Sequence, residues 1–198
     1  MEQSGWETAR QAELEAKREL ILRVATDHIN AGGYTGASMS GIAGELGLTP
    51  NALYYYFESK EEILYSCFER AIALIDGCID GALAANLPPI KTVRHFVDAF
   101  VGLLEETPLP FAGNAIFLPK KRLMKVDAGG ERHVSRLAAV IGDAEPGDID
   151  AVLTARLLLS GLYSLDQENL RQKLGREALI GELDALVERI LSPLGSAR

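Results

Sequence analysis

With 198 residues, 47% of them hydrophobic, the chain can form one medium or two small globular domains, each with a buried core. Its formal charge of −8, from 28 acidic and 20 basic side chains, excludes indiscriminate attraction to polyanions. A disulfide framework is excluded too: the two cysteines, Cys67 and Cys78, fall on one expected helix about 16 Å apart along its axis and cannot bridge within it.

Period-2 alternation is scarce and helical spacing is common, so the chain reads as all-α, with about nine helices. The first helix is expected from about Lys17 to Ala31, with Ile21, Val24, Ala25, His28 and Ile29 as its inner stripe and Gly32-Gly33 as its stop. His28 reads as a satisfied core histidine rather than a ligand. The acidic residues 1–16 either fray, prolong this helix or form an arm. The opening MEQSGWETARQAELEAK lacks the basic start and apolar block of a secretion signal.

The densest information lies in Ser38 to Lys60, SMSGIAGELGLTPNALYYYFESK. Ser38 can cap a short helix whose apolar set is Met39, Ile42, Ala43 and Leu46, and Gly47 ends it. Thr49-Pro50 opens a second helix, with proline at the first position, where its missing N–H costs nothing. Ser59 and Glu62 match a capping box, in which each satisfies the other's free backbone donor, and a third helix starts at about Lys60. Projected at 100° per residue, the second helix turns Leu53, Tyr56 and Phe57 to one side and Asn51, Tyr54 and Tyr55 to the other. The outward set carries hydroxyls, an amide and rings but no charge, a surface suited to base edges and phosphate oxygens in a DNA groove. Taken alone, a tyrosine run is equally consistent with packing that leaves wet hydroxyl tips.

Past Glu61 an apolar band of Ile63, Leu64, Cys67, Phe68, Ala71, Leu74, Ile75 and Cys78 predicts a long helix to about Ile79. Gly77, Gly81 and Leu87-Pro88-Pro89 then mark a boundary near Asp80. Val93, Phe96, Val97, Phe100, Val101 and Leu104 predict the next helix, ended by Pro108. After apolar Phe111 to Leu118 comes the basic run Lys120-Lys121-Arg122, expected to be a solvated face. Asp127 to Gly130 reads as a loop, followed by a helix from about Glu131 to Ile141 that buries Val134, Leu137, Ala138 and Ile141. Two periodic helices, about Asp148 to Leu165 and Glu177 to Leu191, close the chain. The longest apolar stretch, Ala151 to Leu165, contains Arg156 and falls short of the roughly 18 residues of a membrane span, so no membrane partner and a cytoplasmic location are expected.

The residues Gly33-Tyr34, Ser38-Met39-Ser40, Ile42-Ala43, Leu46 to Pro50, Leu53 to Phe57 and Ser59-Lys60 resemble, in one register, the DNA-binding domain of the tetracycline-repressor (TetR) family. The resemblance is clear from about Lys17 to Leu64. It implies a helix-turn-helix DNA-binding domain over 15–75, with the motif at 38–57, and a ligand-binding and dimerisation domain over 81–198. By resemblance, Ser38 and Ser40 stand at the entry of the first short helix, Thr49, Pro50, Asn51 and Tyr54 address base edges and nearby sugar, and Tyr55 and Lys60 address phosphate. Tyr55 stands where histidine is frequent in the family, and Asn51-Ala52 where Gly-Thr is frequent.

The same resemblance implies a homodimer on a near-palindromic double-stranded DNA operator, repression as the usual mode, and release by a small-molecule effector. Candidate effector contacts are Phe96, Phe100, Phe111, Phe117, Met124 and Tyr163, which suit an apolar or aromatic molecule, although an aromatic stripe is as readily plain core. Candidate dimer contacts are Ala155, Leu158, Leu159 and Leu162 on one terminal helix and Leu183, Leu186, Val187 and Ile190 on the other; alternatively, both helices simply close the monomer's own core. Residues 1–60 carry five basic against eight acidic side chains, net −3, which predicts weak non-specific binding and a modest salt slope. No HExxH, GxSxG, clustered metal-ligating set or phosphate-cradling glycine loop occurs, so neither an enzyme nor a cofactor is expected. The rival reading is a helical partner-binding protein that keeps this fold without reading DNA.

Overall fold

Caps and breakers, as much as hydrophobic periodicity, decide where helices begin and end in the computed structural model of the chain. It describes residues 2–144 and 150–165, with positions 181 and 185. Among the residues described up to 165, seven α-helices run α1 Glu2–Gly36, α2 Met39–Glu45, α3 Pro50–Tyr54, α4 Lys60–Ala84, α5 Pro89–Glu106, α6 Lys120–Ala144 and α7 Ala151–Leu165, with a 3-10 helix at Ala112–Phe117. There is no strand among the described residues, in agreement with the all-α expectation. The last expected helix, about 177–191, lies outside the described residues.

The chain divides into two compact units, residues 1–69 with 108–122, and residues 70–107 with 123–198. The expected boundary near Asp80 falls inside α4, which runs on through Gly77 and Gly81 to Ala84. The break comes instead at Asn86, left-handed at φ 49°, and at Pro88-Pro89.

In the first unit, α1 begins at Glu2, far ahead of the expected Lys17, so residues 2–16 prolong the helix. Only its second half has a buried stripe: Ile21, Leu22, Ala25, Thr26 and Ile29 are enclosed, while Val24 and His28 are half-buried. Gly33 stops the regular helix at φ 70°, ψ 168°, a backbone region in which glycine carries no Cβ penalty. Ile21, Leu22, Ala25, Ile42, Ala43, Leu53, Phe57, Ile63 and Cys67 form one core, with Met39, Leu46, Leu48 and Tyr56 packed around it. Each large side chain buried there contributes about 1.5–3 kcal/mol.

The segment 108–122 joins this unit although it lies far along the chain from the rest of it. Asn30 holds it at both ends of its amide: Nδ2 donates to Leu109 O at 2.8 Å and Oδ1 accepts from Phe111 N at 3.0 Å. Phe117 stacks on Tyr34 at 5.0 Å between centroids, and Arg122 pairs with Glu61 at 2.9 Å.

In the second unit, the expected stripe of α5 is enclosed in full: Val93, Phe96, Val97, Phe100, Val101 and Leu104. Val134, Leu137, Ala138 and Ile141 are buried as expected, but their helix is longer, because Asp127 to Gly130 is helical rather than a loop. The reason is a close crossing with α4: a Cβ on Gly129 would stand 2.6 Å from Ile72 Cδ1. Of a residue pair that reads as a breaker, Gly129 is here a site of close packing.

Candidate nucleic-acid interface

The reading surface is assembled by three local devices. Ser38 Oγ accepts the Gly41 N–H at 3.0 Å, capping α2. At the other end of α2, Gly47 takes φ 64°, with Gly47 N donating to Gly44 O and Leu48 N donating to Ala43 O at 2.8 Å; this paired closure turns the chain toward α3. Thr49 Oγ1 then accepts the Ala52 N–H at 3.2 Å, and Pro50 fills the first helical position. The Ser59 box is only half as expected. Ser59 Oγ accepts from Glu62 N, but the Glu62 carboxylate takes the N–H of Glu58, one residue before the serine.

Leu53 and Phe57 anchor α3 at 0% and 1% exposure. Their burial leaves Asn51, Tyr54 and Tyr55 outside, the last two 49% and 67% exposed, while Tyr56 is half-buried and meets the Tyr55 ring edge-on at 5.2 Å. Ser38, Ser40, Thr49 and Pro50 are exposed beside them. Because Ser38 and Thr49 act as acceptors toward the backbone, their hydroxyl hydrogens remain free to donate to an outside oxygen. Glu45 holds His28, Nε2 to Oε2 at 2.7 Å, and a Cβ on Gly41 would press on the His28 ring at 3.3 Å, so α1 fixes α2 closely. His28 is thus partnered, as expected, though only half-buried.

Lys60 is turned inward. Its Nζ donates to the carbonyls of Tyr34 at 2.8 Å and Ala37 at 3.0 Å and lies 4.3 Å above the Tyr34 ring, leaving one N–H for any other partner. Arg18 has a parallel role that sequence reasoning missed: its guanidinium lies 4.1 Å above the Phe57 ring and donates to the Tyr56 carbonyl. No periodic or motif signal marks it, since its partners lie 38 positions or more away.

Three of the expected effector residues lie together within the second unit. Phe96, Phe100 and Tyr163 form one aromatic group in the second unit, with centroid spacings of 5.9 and 5.8 Å. Met124, also in that unit, is 61% exposed, and Phe111 and Phe117 belong to the first unit.

The α7 residues expected at a dimer contact are enclosed within the single chain. Ala155, Leu158, Leu159 and Leu162 are 0–3% exposed within the single chain, which leaves them almost no surface to offer a partner. The most apolar stripe of α7 faces its own unit's core, in contact with α5. Val152, Leu153 and Leu157 are instead the exposed aliphatic residues of α7, at 48%, 53% and 59%, with Tyr163 37% exposed. Leu183, Leu186, Val187 and Ile190 lie outside the described residues.

A polar cluster around one enclosed imidazole in the second unit was also missed. His133, fully enclosed, has Nε2 3.3 Å from Asp76 Oδ1 and Nδ1 3.5 Å from Tyr163 Oη. Arg132 bonds Asp76 at 2.6 Å, and Arg136 bonds both Asp76 and Asp80. Burial pushes the His133 imidazole below its ordinary range against the opposing pull of Asp76, and it pushes Tyr163 up to about 12, with help from the Asp76 charge. Burial alone would raise Asp76, but the hydrogen bond from Arg132 and the surrounding positive charge bring it below the usual carboxylate range. Asp76 with Asp80 and Arg132 with Arg136 each share a helix face at a spacing of four, but they lie on α4 and α6, with Tyr163 on α7, and nothing in the sequence brings those helices together.

A capped short helix, a glycine turn and a second short helix with an uncharged outer face define a helix-turn-helix DNA-binding protein. Residues 21–67 match the model of the bacterial regulatory proteins, tetR family. The HTH-type transcriptional regulator UidR of Escherichia coli (strain K12) is 29% identical over 200 residues, covering 92% of this chain and 96% of UidR. Among solved structures, the TetR family regulator PfmR from Thermus thermophilus superposes with a TM-score of 0.70 at 26% identity, over 90% of this chain and 99% of PfmR. AibR, solved in complex with isovaleryl coenzyme A and operator DNA, shares the fold with a TM-score of 0.70 at 18% identity, over 87% of this chain and 96% of AibR. Over residues 21–67 the chain thus matches the tetR family, and over most of its length it is similar to HTH-type and TetR family transcriptional regulators. No helix among the described residues is long and apolar enough to cross a membrane.

Proposed function

We propose that the protein is a ligand-responsive repressor that binds a near-palindromic operator as a homodimer and is released by a small apolar or aromatic molecule. The observation that carries the reading is the outer face of α3: Asn51, Tyr54 and Tyr55 stand exposed and uncharged above two fully buried anchors. Asn51 and Tyr54, with Thr49 and Pro50, address bases and sugar; Tyr55, Ser38 and Ser40 address the backbone. Lys60 acts first as the tie that holds the end of α1, and reaches phosphate only through its remaining N–H.

One copy of so short a surface makes few base contacts, each worth ~1–3 kcal/mol of discrimination, so duplication is needed for useful affinity. The exposed stripe Val152, Leu153 and Leu157 is the α7 surface left for a second copy. Phe96, Phe100 and Tyr163 are the group from which an effector contact is built, and AibR, of the same fold, was solved with an acyl coenzyme A. The rival, a helical protein-binding module, draws on the acidic first half of α1, where Trp6 is 81% exposed.

The test is to recover and sequence the DNA that the protein retains from sheared genomic DNA, then to repeat the binding with Asn51→Ala and Tyr54→Ala. A shared two-fold motif, with changed base preference in the variants, is expected. Retention of no particular sequence would leave the protein-binding module as the better account, and a mass of only 21.4 kDa by light scattering would remove the two-fold arrangement.

A further inference from the structure

The reading helix is too short to hold its own direction. α3 has five residues, whereas isolated helices shorter than about 12–15 residues are marginal in water. Thr49 serves its first turn. Its far end passes into a tight turn, with Tyr56 N and Phe57 N both donating to Leu53 O. The carbonyl of Tyr56 then looks back to α1, where the Arg18 guanidinium takes it. The same guanidinium covers the Phe57 ring, its carbon 4.1 Å from the centroid. One planar cation therefore holds both the backbone and the anchor side chain of the turn that follows Tyr54 and Tyr55.

We propose that Arg18 is a positioning residue for DNA reading: it sets the direction in which Tyr54 and Tyr55 leave the globule, without itself touching phosphate. The chemistry suits arginine, whose flat fork can lie on a ring and donate from its edge at once, with little entropy lost per bond. Lys60 shows the same device at the end of α1, on the Tyr34 ring and two carbonyls, so two cations flanking the reader are turned inward. The acidic balance of the reading unit is then no obstacle, because base selection there depends on neutral donors held in place by internal cations.

The inference depends on the DNA-reading function proposed above, and the experiment separates the two. Wild type, Arg18→Lys and Arg18→Gln are titrated with the duplex recovered from genomic DNA and with a random-sequence duplex, over a range of salt. Expected is a loss of about tenfold on the selected duplex in both variants, the equivalent of about one good base contact, with unchanged binding to the random duplex and an unchanged salt slope. Amide hydrogen exchange on the DNA-free proteins should quicken at Tyr56 and Phe57 while α4 keeps its protection. A slope lower by about 1 in Arg18→Gln but not in Arg18→Lys would make Arg18 a phosphate contact and overturn the proposal. Equal losses on both duplexes would reduce it to a plain stability residue, which also overturns it. Wild type that selects no sequence removes the DNA-reading function and this proposal with it; variants that keep wild-type discrimination remove only the proposal.

Discussion

Basic side chains of the two units are partnered in two different ways. In the first, Arg18 and Lys60 meet neutral partners, carbonyls and ring faces, so the cations serve as ties and leave the nearby α3 surface uncharged. In the second, Arg132 and Arg136 meet Asp76 and Asp80 around an enclosed imidazole, so α4 and α6 are joined by a network whose strength depends on protonation. A surface meant to present one fixed geometry gains from ties that do not titrate. The network in the second unit, by contrast, contains an imidazole, a group that does titrate.

The strongest way to break this comparison is to remove the anchor on which the fixed geometry stands. Leu53→Ala deletes a fully buried side chain from the core of the first unit and is expected to cost ~2–5 kcal/mol, with loss of operator binding. Hydrogen exchange should show α2 and α3 losing protection first. A variant within about 1 kcal/mol of wild type by urea unfolding would mean that the face is held by something other than its buried side.

The next effect sharpens the contrast through pH. The folded state holds His133 below its ordinary value of 6.5, so the unfolded chain takes up its proton first as the medium acidifies. Stability associated with neutral His133 is therefore complete above the unfolded value and is lost as pH falls through the lower, folded one, with a slope of at most about 1.4 kcal/mol per pH unit. The Asp76 contribution, from a carboxyl held low, disappears only in a more acidic window. The stability of wild type should thus fall between about pH 7 and pH 5 in a way that His133→Gln flattens. Equal slopes in the two proteins would show that the enclosed imidazole has no part in it.

What the sequence reveals follows the same division. From Ser38 to Lys60 the instructions that start and stop the helices are local: a cap acts three residues ahead, a glycine closes a helix over four residues, and Pro50 follows its own cap. These can be read without knowing the fold. In the second unit, Gly129 looks like a breaker until Ile72 of another helix is known to press against it, and Asp76 and His133 are unremarkable until the chain brings them together. Helical periodicity found the buried stripe of α7 but did not say whether that stripe met its own core or a second copy. Arg18 sits between the two cases: its unit was legible, its task was not, because both its partners are reached only through the tertiary fold.

The smallest expected effect tests whether local caps or the tertiary ties govern α3. Thr49→Ala removes the hydroxyl that accepts the Ala52 N–H, and a lost N-cap costs about 1 kcal/mol. Pro50 still presets the backbone of the first turn, and Leu53, Phe57 and the Arg18 tie remain, so the helix should form nonetheless. Stability measured by urea unfolding should fall by about that amount. Operator binding should fall further than stability alone requires, because Thr49 also loses its outward O–H donor to the DNA. Thr49→Ser, which keeps both the acceptor and the donor, should restore both quantities. If serine restores stability but not binding, the methyl group of Thr49 is what meets the DNA, as an apolar contact to a thymine would require.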